Sequence, residues 1–477
     1  MLALLLTAFY APAPARADAF DRTWCAVEAG EFRLVTDHPR EVAEDLAWRL
    51  QAFRPIAEQY LPGEPNADNP PLTILVFERS RDYRRAMNGS AMAGFMQPSF
   101  SESLMVVGPD PNAFSEHETL LHEYVHYLLR TRSGINIPAW FDEGIASMLS
   151  STEVETDRVE VGALPASTLD RAIRGSRLAL AEVLDASDIW DWHLDRRRGF
   201  YAWSWLLAHH LMLGPDPERD ALRRGLNAFL TGEEPSLTEA LDVSVNSLER
   251  RLQRYLERRP STAVHEAVPV ADRRYGYHCL DASASTRQLG LAIAQHNPAL
   301  ATRELEAQLE HDSDSAELWT VLSLAHEAAN DRPATLAAAR RAVSLAPDDP
   351  SAAVRLASAL AMGCILELSA ECRSRWREAV PLLRRALERD PTRQDAIFTL
   401  GLAYLYSGRP GDALNYLRIA YRRQPWAPHV NFYLGETYRL IGDVRAREHL
   451  LRARQWSPTE VWRKLADAGL ELLASGG

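Results

Sequence analysis

Two short stretches constrain this chain more than anything else in it: His122-Glu123-Tyr124-Val125-His126 and, downstream, Trp140-Phe141-Asp142-Glu143-Gly144. Ser115 and Glu118 have the spacing of a capping box. Leu120, Leu121, Tyr124, Val125, Leu128 and Leu129 then form an apolar stripe, so the pattern predicts one buried helix over about 116–131, ending near Gly134. His122 and His126 sit one turn apart on the same face of that helix, close enough for both ring nitrogens to reach a single ion. Glu123 lies beside them, free to hold a water.

A polar turn, Thr131-Arg132-Ser133-Gly134, follows, and Pro138 is placed to open a second helix carrying Asp142, Glu143, Ala146 and Ser147. Glu143 can therefore return to the first helix as a third ligand, with Gly144 and Ala146 letting the two helices approach closely. Two imidazoles, a third anionic ligand and a free carboxylate are the parts of a zinc hydrolase. Three protein ligands leave one position open for a water of lowered pKa, whose proton Glu123 would take and pass to a leaving amine.

These residues carry a resemblance. From about 20 to 260 the chain resembles a gluzincin of the peptidase MA-like superfamily, whose members pair His-Glu-x-x-His with a downstream Trp-x-x-Glu-Gly-x-Ala, matched here by Trp140, Glu143, Gly144 and Ala146. The resemblance implies an α+β zincin-like catalytic domain, zinc bound by His122, His126 and Glu143, and a peptide or protein substrate. The metzincin pattern fails, because Leu129 and Arg132 stand where that class has Gly and His. There is no Gly-Ala-Met-Glu-Asn stretch of the aminopeptidase-N kind, so exopeptidase activity is not implied. Phe200-Tyr201-Ala202-Trp203-Ser204-Trp205-Leu206-Leu207 resembles the family's later helix, which makes Tyr201 the candidate donor to the negative oxygen of a tetrahedral intermediate.

Other groups compete for these roles. Asp142 is either an alternative to Glu143 as ligand or a partner for a histidine N–H. His117 lies about 140° off the ligand face and reads as a solvated or capping residue. His209 and His210 read as packing groups or as supports for the ligands.

Glu31–Thr36, Leu72–Phe77 and Ser103–Val107 read as strands and Glu41–Gln59 as an amphipathic helix. In zincins the strand before the metal helix is the sheet edge on which substrate is laid, a role that would fall to Ser103–Val107 beside its role in the core. Helical spacing recurs over Leu178–Leu184, Tyr201–Leu213, Asp220–Leu230 and Leu237–Leu256, and a composition shift marks a linker over 261–285.

Beyond it the chain repeats. Ala379, Leu383, Ala386 and Pro391 recur as Ala413, Leu417, Ala420 and Pro425, then as Ala446, Leu450, Ala453 and Pro458; Leu400-Gly401 with Tyr404 recurs as Leu434-Gly435 with Tyr438. The pattern resembles tetratricopeptide (TPR) repeats, strongly over 376–458, with an earlier unit ending at Pro347 and a poorer one near 286–311. An all-α TPR solenoid over 286–475 is expected, with a protein partner on its surface.

The first nineteen residues read as a signal peptide: an apolar run from Leu2 to Ala11, then Ala15-Arg16-Ala17, with cleavage after Ala17 or Ala19. No Lys or Arg precedes the run, a departure from the usual pattern, and no Cys stands at the cleavage point. The expectation is a periplasmic or secreted protein with no stable membrane span after cleavage. Four cysteines fit that compartment, and spacing favours Cys364 with Cys372, leaving Cys25 with Cys279. Basic residues are nearly all Arg, with Lys464 the one lysine, which together with abundant Ala suggests a GC-rich bacterial genome. A formal charge of −12 argues against nucleic acid as the main partner. The expected activity is an exported zinc metallopeptidase; the alternative is an inactive zincin-like scaffold acting as a TPR interaction module.

Overall fold

A computed structural model describes residues 18–475 apart from 66–69, 90–91, 98–99, 101, 110–114, 134, 136, 164–165, 187–188, 190–191, 216–217, 259–261, 268–274, 365–366, 368, 426, 456 and 458–459. Of the signal peptide expected over 1–19, residues 1–17 lie outside the described residues, as do Gly134 and Pro458. Among the described residues no helix is long and apolar enough to cross a membrane.

A six-stranded sheet organises the first half of the chain. Its strands are β1 (Cys25–Glu28), β2 (Phe32–Thr36), β3 (Leu72–Val76), β4 (Gly94–Gln97), β5 (Ser103–Val107) and β6 (Gly276–Cys279), in the order β6-β1-β2-β3-β5-β4. β2, β3 and β5 are parallel, whereas β1, β4 and β6 pair antiparallel to their neighbours. Leu72-Thr73-Ile74-Leu75-Val76 and Ser103-Leu104-Met105-Val106-Val107 are buried along their whole lengths. Their near-continuous apolar runs are those of strands covered on both faces.

The two faces have different covers. On one, Leu34, Leu72, Ile74, Val76, Met105 and Val107 share a core with α1 (Arg40–Ala57), α2 (Glu116–Arg130), α3 (Ala139–Ser150) and α4 (Leu194–Leu213). On the other, Ala26, Val35, Leu75, Leu104 and Val106 share a core with Leu289, Ile293, Leu300, Leu305 and Leu318, which belong to the first helices of the repeat array. The sheet is thus the middle layer between the helices that carry the candidate site and the start of the repeats.

The structure corrects three readings of the sequence. The 261–285 segment is not simply a linker: Ala263–Glu266 pairs with Arg158–Val161, and β6 adds the edge strand beside β1, with Cys279 opposite Cys25. Those two cysteines are disulfide-bonded, as are Cys364 and Cys372. Ser103–Val107 is not the sheet edge, because β4 pairs outside it. The predicted Leu237–Leu256 helix is divided into Leu237–Ala240 and Val245–Glu257, with Asp242 between them at a φ of 50°. That left-handed backbone cannot continue a right-handed helix.

The second half is an α-helical repeat array: α5 (Ala282–Ile293), α6 (Pro298–Leu309), α7 (Ala316–Ala328), α8 (Arg332–Leu345), α9 (Pro350–Ala361), α10 (Ala370–Arg389), α11 (Gln394–Tyr406), α12 (Pro410–Arg423), α13 (Pro428–Leu440), α14 (Ala446–Gln455) and α15 (Glu460–Ala474). A Cβ placed on Gly401 would come within 2.9 Å of Leu417, on Gly435 within 2.9 Å of Leu450, and on Gly290 within 3.1 Å of Leu305. One glycine-to-leucine crossing thus joins the helices of pairs α5/α6, α11/α12 and α13/α14, including the poorer repeat near 286–311. Ala379, Leu383, Ala386, Ala413, Leu417, Ala420, Ala446, Leu450 and Ala453, the recurrent positions of the sequence, are buried.

Candidate metal centre

The Ser115 hydroxyl accepts from the Glu118 N–H at 3.2 Å while the Ser115 N–H donates to the Glu118 carboxylate at 2.7 Å, so the predicted capping box starts α2. From that fixed start His122 and His126 project together, their Nε2 atoms 3.2 Å apart. Pro138 caps α3 and sets the helix that brings Glu143 back, with Oε2 3.3 Å from His122 Nε2 and 3.7 Å from His126 Nε2. The fold therefore brings His122, His126 and Glu143 together from two helices, each offering a ligand atom within 4.8 Å of the others.

The donor triangle fits a zinc ion. Bond lengths near 2.0–2.1 Å in tetrahedral geometry imply ligand–ligand edges of about 3.3 Å, the scale of the observed 3.2, 3.3 and 3.7 Å. Glu143 Oε2 is buried and faces the two imidazole nitrogens. Three carboxylates, Glu123, Asp142 and Glu143, gather around the imidazoles with Arg130 as the nearby fixed cation, a balance that calls for further positive charge.

The His126 imidazole supplies part of that charge. Burial works against protonating His126, yet Asp142 and Glu143 overcome it and hold its pKa up at about 10. Burial likewise opposes ionisation of Glu143, but His126 and His122 hold its carboxyl below the usual range. For Glu123 burial wins over the two histidines and raises the carboxyl, in the direction suited to a group that must take up a proton.

Asp142 is placed beside the triangle. Its Oδ1 lies 2.7 Å from His126 Nδ1, and Arg130 grips the same carboxylate with Nη1 at 3.0 Å and Nη2 at 2.5 Å. Of the two roles open to Asp142 from the sequence, it occupies that of partner to a histidine N–H. Arg130, one turn beyond His126, was not singled out by sequence reasoning; its i+4 spacing from His126 was the available signal.

Tyr201 lies on α4, half-buried, and burial followed by the carboxylates of Glu143 and Glu123 pushes its phenol well above the ordinary range. It stays a protonated donor beside the cluster. Gly144 makes its close approach to α4 rather than to α2: a Cβ there would collide with the Ser204 carbonyl, so this glycine seats the Tyr201 helix against the Glu143 helix. On the other side, a Cβ at Gly94 would come within 2.9 Å of Glu123 Cγ. Edge strand β4 therefore passes directly over Glu123, a relationship the spacing of the motif does not announce.

The remaining histidines stay outside. His117 is half-buried rather than solvated, one of the two readings its position on the helix left open, and lies outside the triangle. His209 Nδ1 meets the Tyr255 hydroxyl at 2.9 Å, and His210 packs on the Tyr255 ring. Both are packing groups.

No protein-family model matches this sequence, and no curated protein does. Among solved structures, the chain is similar to a thermophilic TPR protein from Thermus thermophilus, at 19% identity over 39% of this chain and 100% of that one, with a TM-score of 0.33. It is similar to YrrB, a TPR protein with an unusual peptide-binding site, at 18% identity over 40% and 92% with a TM-score of 0.31. It is also similar to MamA AMB-1, at 22% identity over 36% and 98% with a TM-score of 0.30. The helix pairs and glycine crossings of this chain establish its own repeat array.

Proposed function

We propose that this protein is an exported, zinc-dependent metallopeptidase of the gluzincin type, with a repeat array that binds a peptide or protein. The observation that carries the hydrolytic half is the triangle of His122 Nε2, His126 Nε2 and Glu143 Oε2, with edges of a zinc site and Glu123 beside it. A zinc ion held there supplies a Lewis acid and a water of lowered pKa. Glu123, raised by burial, accepts the proton of the attacking water and returns it to the leaving amine. Tyr201, kept protonated by burial and the carboxylates around it, donates to the oxygen that becomes negative. Asp142 and Arg130 hold His126 in one ring orientation. Edge strand β4 offers backbone groups to an extended substrate directly above Glu123.

A second reading rests on the array: an inactive zincin-like scaffold serving a TPR interaction module. Its ground is the repeat array itself, built of paired helices joined at glycine-to-leucine crossings. Elemental analysis of wild type and His126→Ala, with a mixed-peptide cleavage assay with and without chelator, separates the two readings. About one zinc per chain, lost in the variant, with chelator-sensitive cleavage that Glu123→Gln abolishes while keeping zinc, is the result expected of the peptidase. Zinc without cleavage leaves the scaffold, and absence of zinc removes the site.

A further inference from the structure

The array makes contact with the edge-strand side of the sheet at two points. Phe95, on β4, lies 4.3 Å ring to ring from His296, between α5 and α6. Phe100, in the connection from β4 to β5, stacks on Phe398 of α11 with centroids 4.7 Å apart and planes at 25°, and meets His429 of α13 edge-on at 6.0 Å. Ala420, Ala427 and Val430 are buried in the same cluster.

Phe100 thus occupies a built aromatic pocket. Phe398 and His429 are 5.5 Å apart and perpendicular, Phe398 contacts Tyr433 at 5.9 Å, and His429 contacts Trp462 of α15 at 6.0 Å. These residues come from α11, α13 and α15, the alternate helices of successive pairs, so they line one continuous face of the array. In repeat proteins such a face receives extended peptide. Stacked and edge-on rings at these distances contribute beyond simple burial and select an aromatic side chain over an aliphatic one.

We propose that the Phe398–His429–Trp462 face is a binding site for an aromatic side chain of an extended peptide, and that Phe100 of this chain holds it in cis until such a peptide takes its place. The inference deepens the partner half of the proposed function and rests on the array being a peptide-binding surface. A tethered occupant competes at an effective concentration on the order of millimolar, so an incoming peptide must outbind it or arrive with further contacts. Because Phe100 follows closely on β4, the exchange links partner binding to the strand that lies over Glu123.

The probe is a fluorescein-labelled synthetic peptide with the sequence of residues 97–103, Gln-Pro-Ser-Phe-Ser-Glu-Ser, titrated with the full chain and read by fluorescence anisotropy. Wild type should bind it weakly and Phe100→Ala about tenfold tighter or more; adding Phe398→Ala to Phe100→Ala should lose the gain. The same peptide with Ala for Phe should not distinguish the proteins. Phe100→Leu, which keeps an apolar plug, should fall between wild type and Phe100→Ala, so the test does not depend on one variant folding. Equal binding by wild type, Phe100→Leu and Phe100→Ala, or equal binding of the Phe and Ala peptides, overturns the proposal. The readout needs neither metal nor turnover and is repeated with chelator, so its failure and that of the hydrolytic reading are told apart.

Discussion

His126 Nδ1 lies 2.7 Å from Asp142 Oδ1, and that contact decides which ring nitrogen of His126 faces His122 and Glu143. An ionised carboxylate accepts only, so Nδ1 stays the donor to Asp142, and Nε2 is the nitrogen that would give up its proton to bind an ion. Asp142 is itself held by Arg130 through both guanidinium nitrogens of the fork.

Asp142→Asn should therefore leave the ligands in place and weaken their hold. An amide can present either end to Nδ1, and it no longer pairs its charge with Arg130. The expected loss is about 10–100-fold in zinc affinity, measured by competition with a chromogenic chelator. Unchanged affinity would remove Asp142 from the support of the site.

Much of the candidate site was legible because the residues that form it obey local helical spacing. Ser115 with Glu118, His122 with His126, and Pro138 before Glu143 are features of short segments, and short segments fold by rules that a sequence displays. The Gly94 approach to Glu123, the Phe100 contact and the pairing of β6 with β1 are long-range, and no local period encodes them. The edge role of Ser103–Val107 came from the resemblance alone, and the short β4, Gly94–Gln97, alternates too little to announce the strand that covers it. The repeats were legible for the opposite reason: a period near 34 residues writes a tertiary contact, glycine against leucine, into the sequence again and again.

Two glycines at helix crossings should respond differently to alanine. At Gly144 the new methyl meets the backbone carbonyl of Ser204, which cannot turn aside, so α3 and α4 must separate. At Gly401 it meets the Leu417 side chain at 2.9 Å, whose rotamer can adjust. Gly144→Ala should cost about 1–3 kcal/mol in urea unfolding, and Gly401→Ala less. The reverse order would mean that the α3–α4 crossing is looser than described. If the proposed peptidase reading holds, the Gly144 variant should also lose cleavage out of proportion to its stability, because α4 carries Tyr201 and α3 carries Glu143.

Stability should fall in mild acid through buried neutral histidines. Burial holds His209, His210 and His449 down at about 4, against an ordinary value of 6.5. A group depressed in this way binds its proton first in the unfolded chain. Its contribution is fully present above about pH 6.5, shrinks as the pH falls through that value, and is gone once the folded-state pKa near 4 is passed. At pH 5 each such group should have lost about 2 kcal/mol. His210 has both ring nitrogens unpartnered, so His210→Leu removes one titrating group without breaking a hydrogen bond. Urea midpoints between pH 7.5 and pH 5 should fall less steeply in that variant; an unchanged slope would show that His210 does not stay neutral.

The two disulfides should differ in what they hold. Cys25 and Cys279 are register partners on β1 and β6 and close a sequence separation of 254, whereas Cys364 and Cys372 close one of 8. Loop-closure entropy assigns about 5.5 kcal/mol to the first and about 2.5 kcal/mol to the second. The larger effect has a structural target, since β6 ends where α5 is about to begin and α5 packs on the sheet face opposite the helices that carry His122, His126 and Glu143. Replacing Cys25 and Cys279 with Ser should therefore lower the urea midpoint more than replacing Cys364 and Cys372, and should raise hydrogen exchange in both β6 and α5. If exchange rises in β6 alone, the contact between the array and the sheet stands without the covalent tie, and the apolar layer of Leu289, Ile293 and Leu300 against Val35, Leu75 and Val106 is sufficient to hold it.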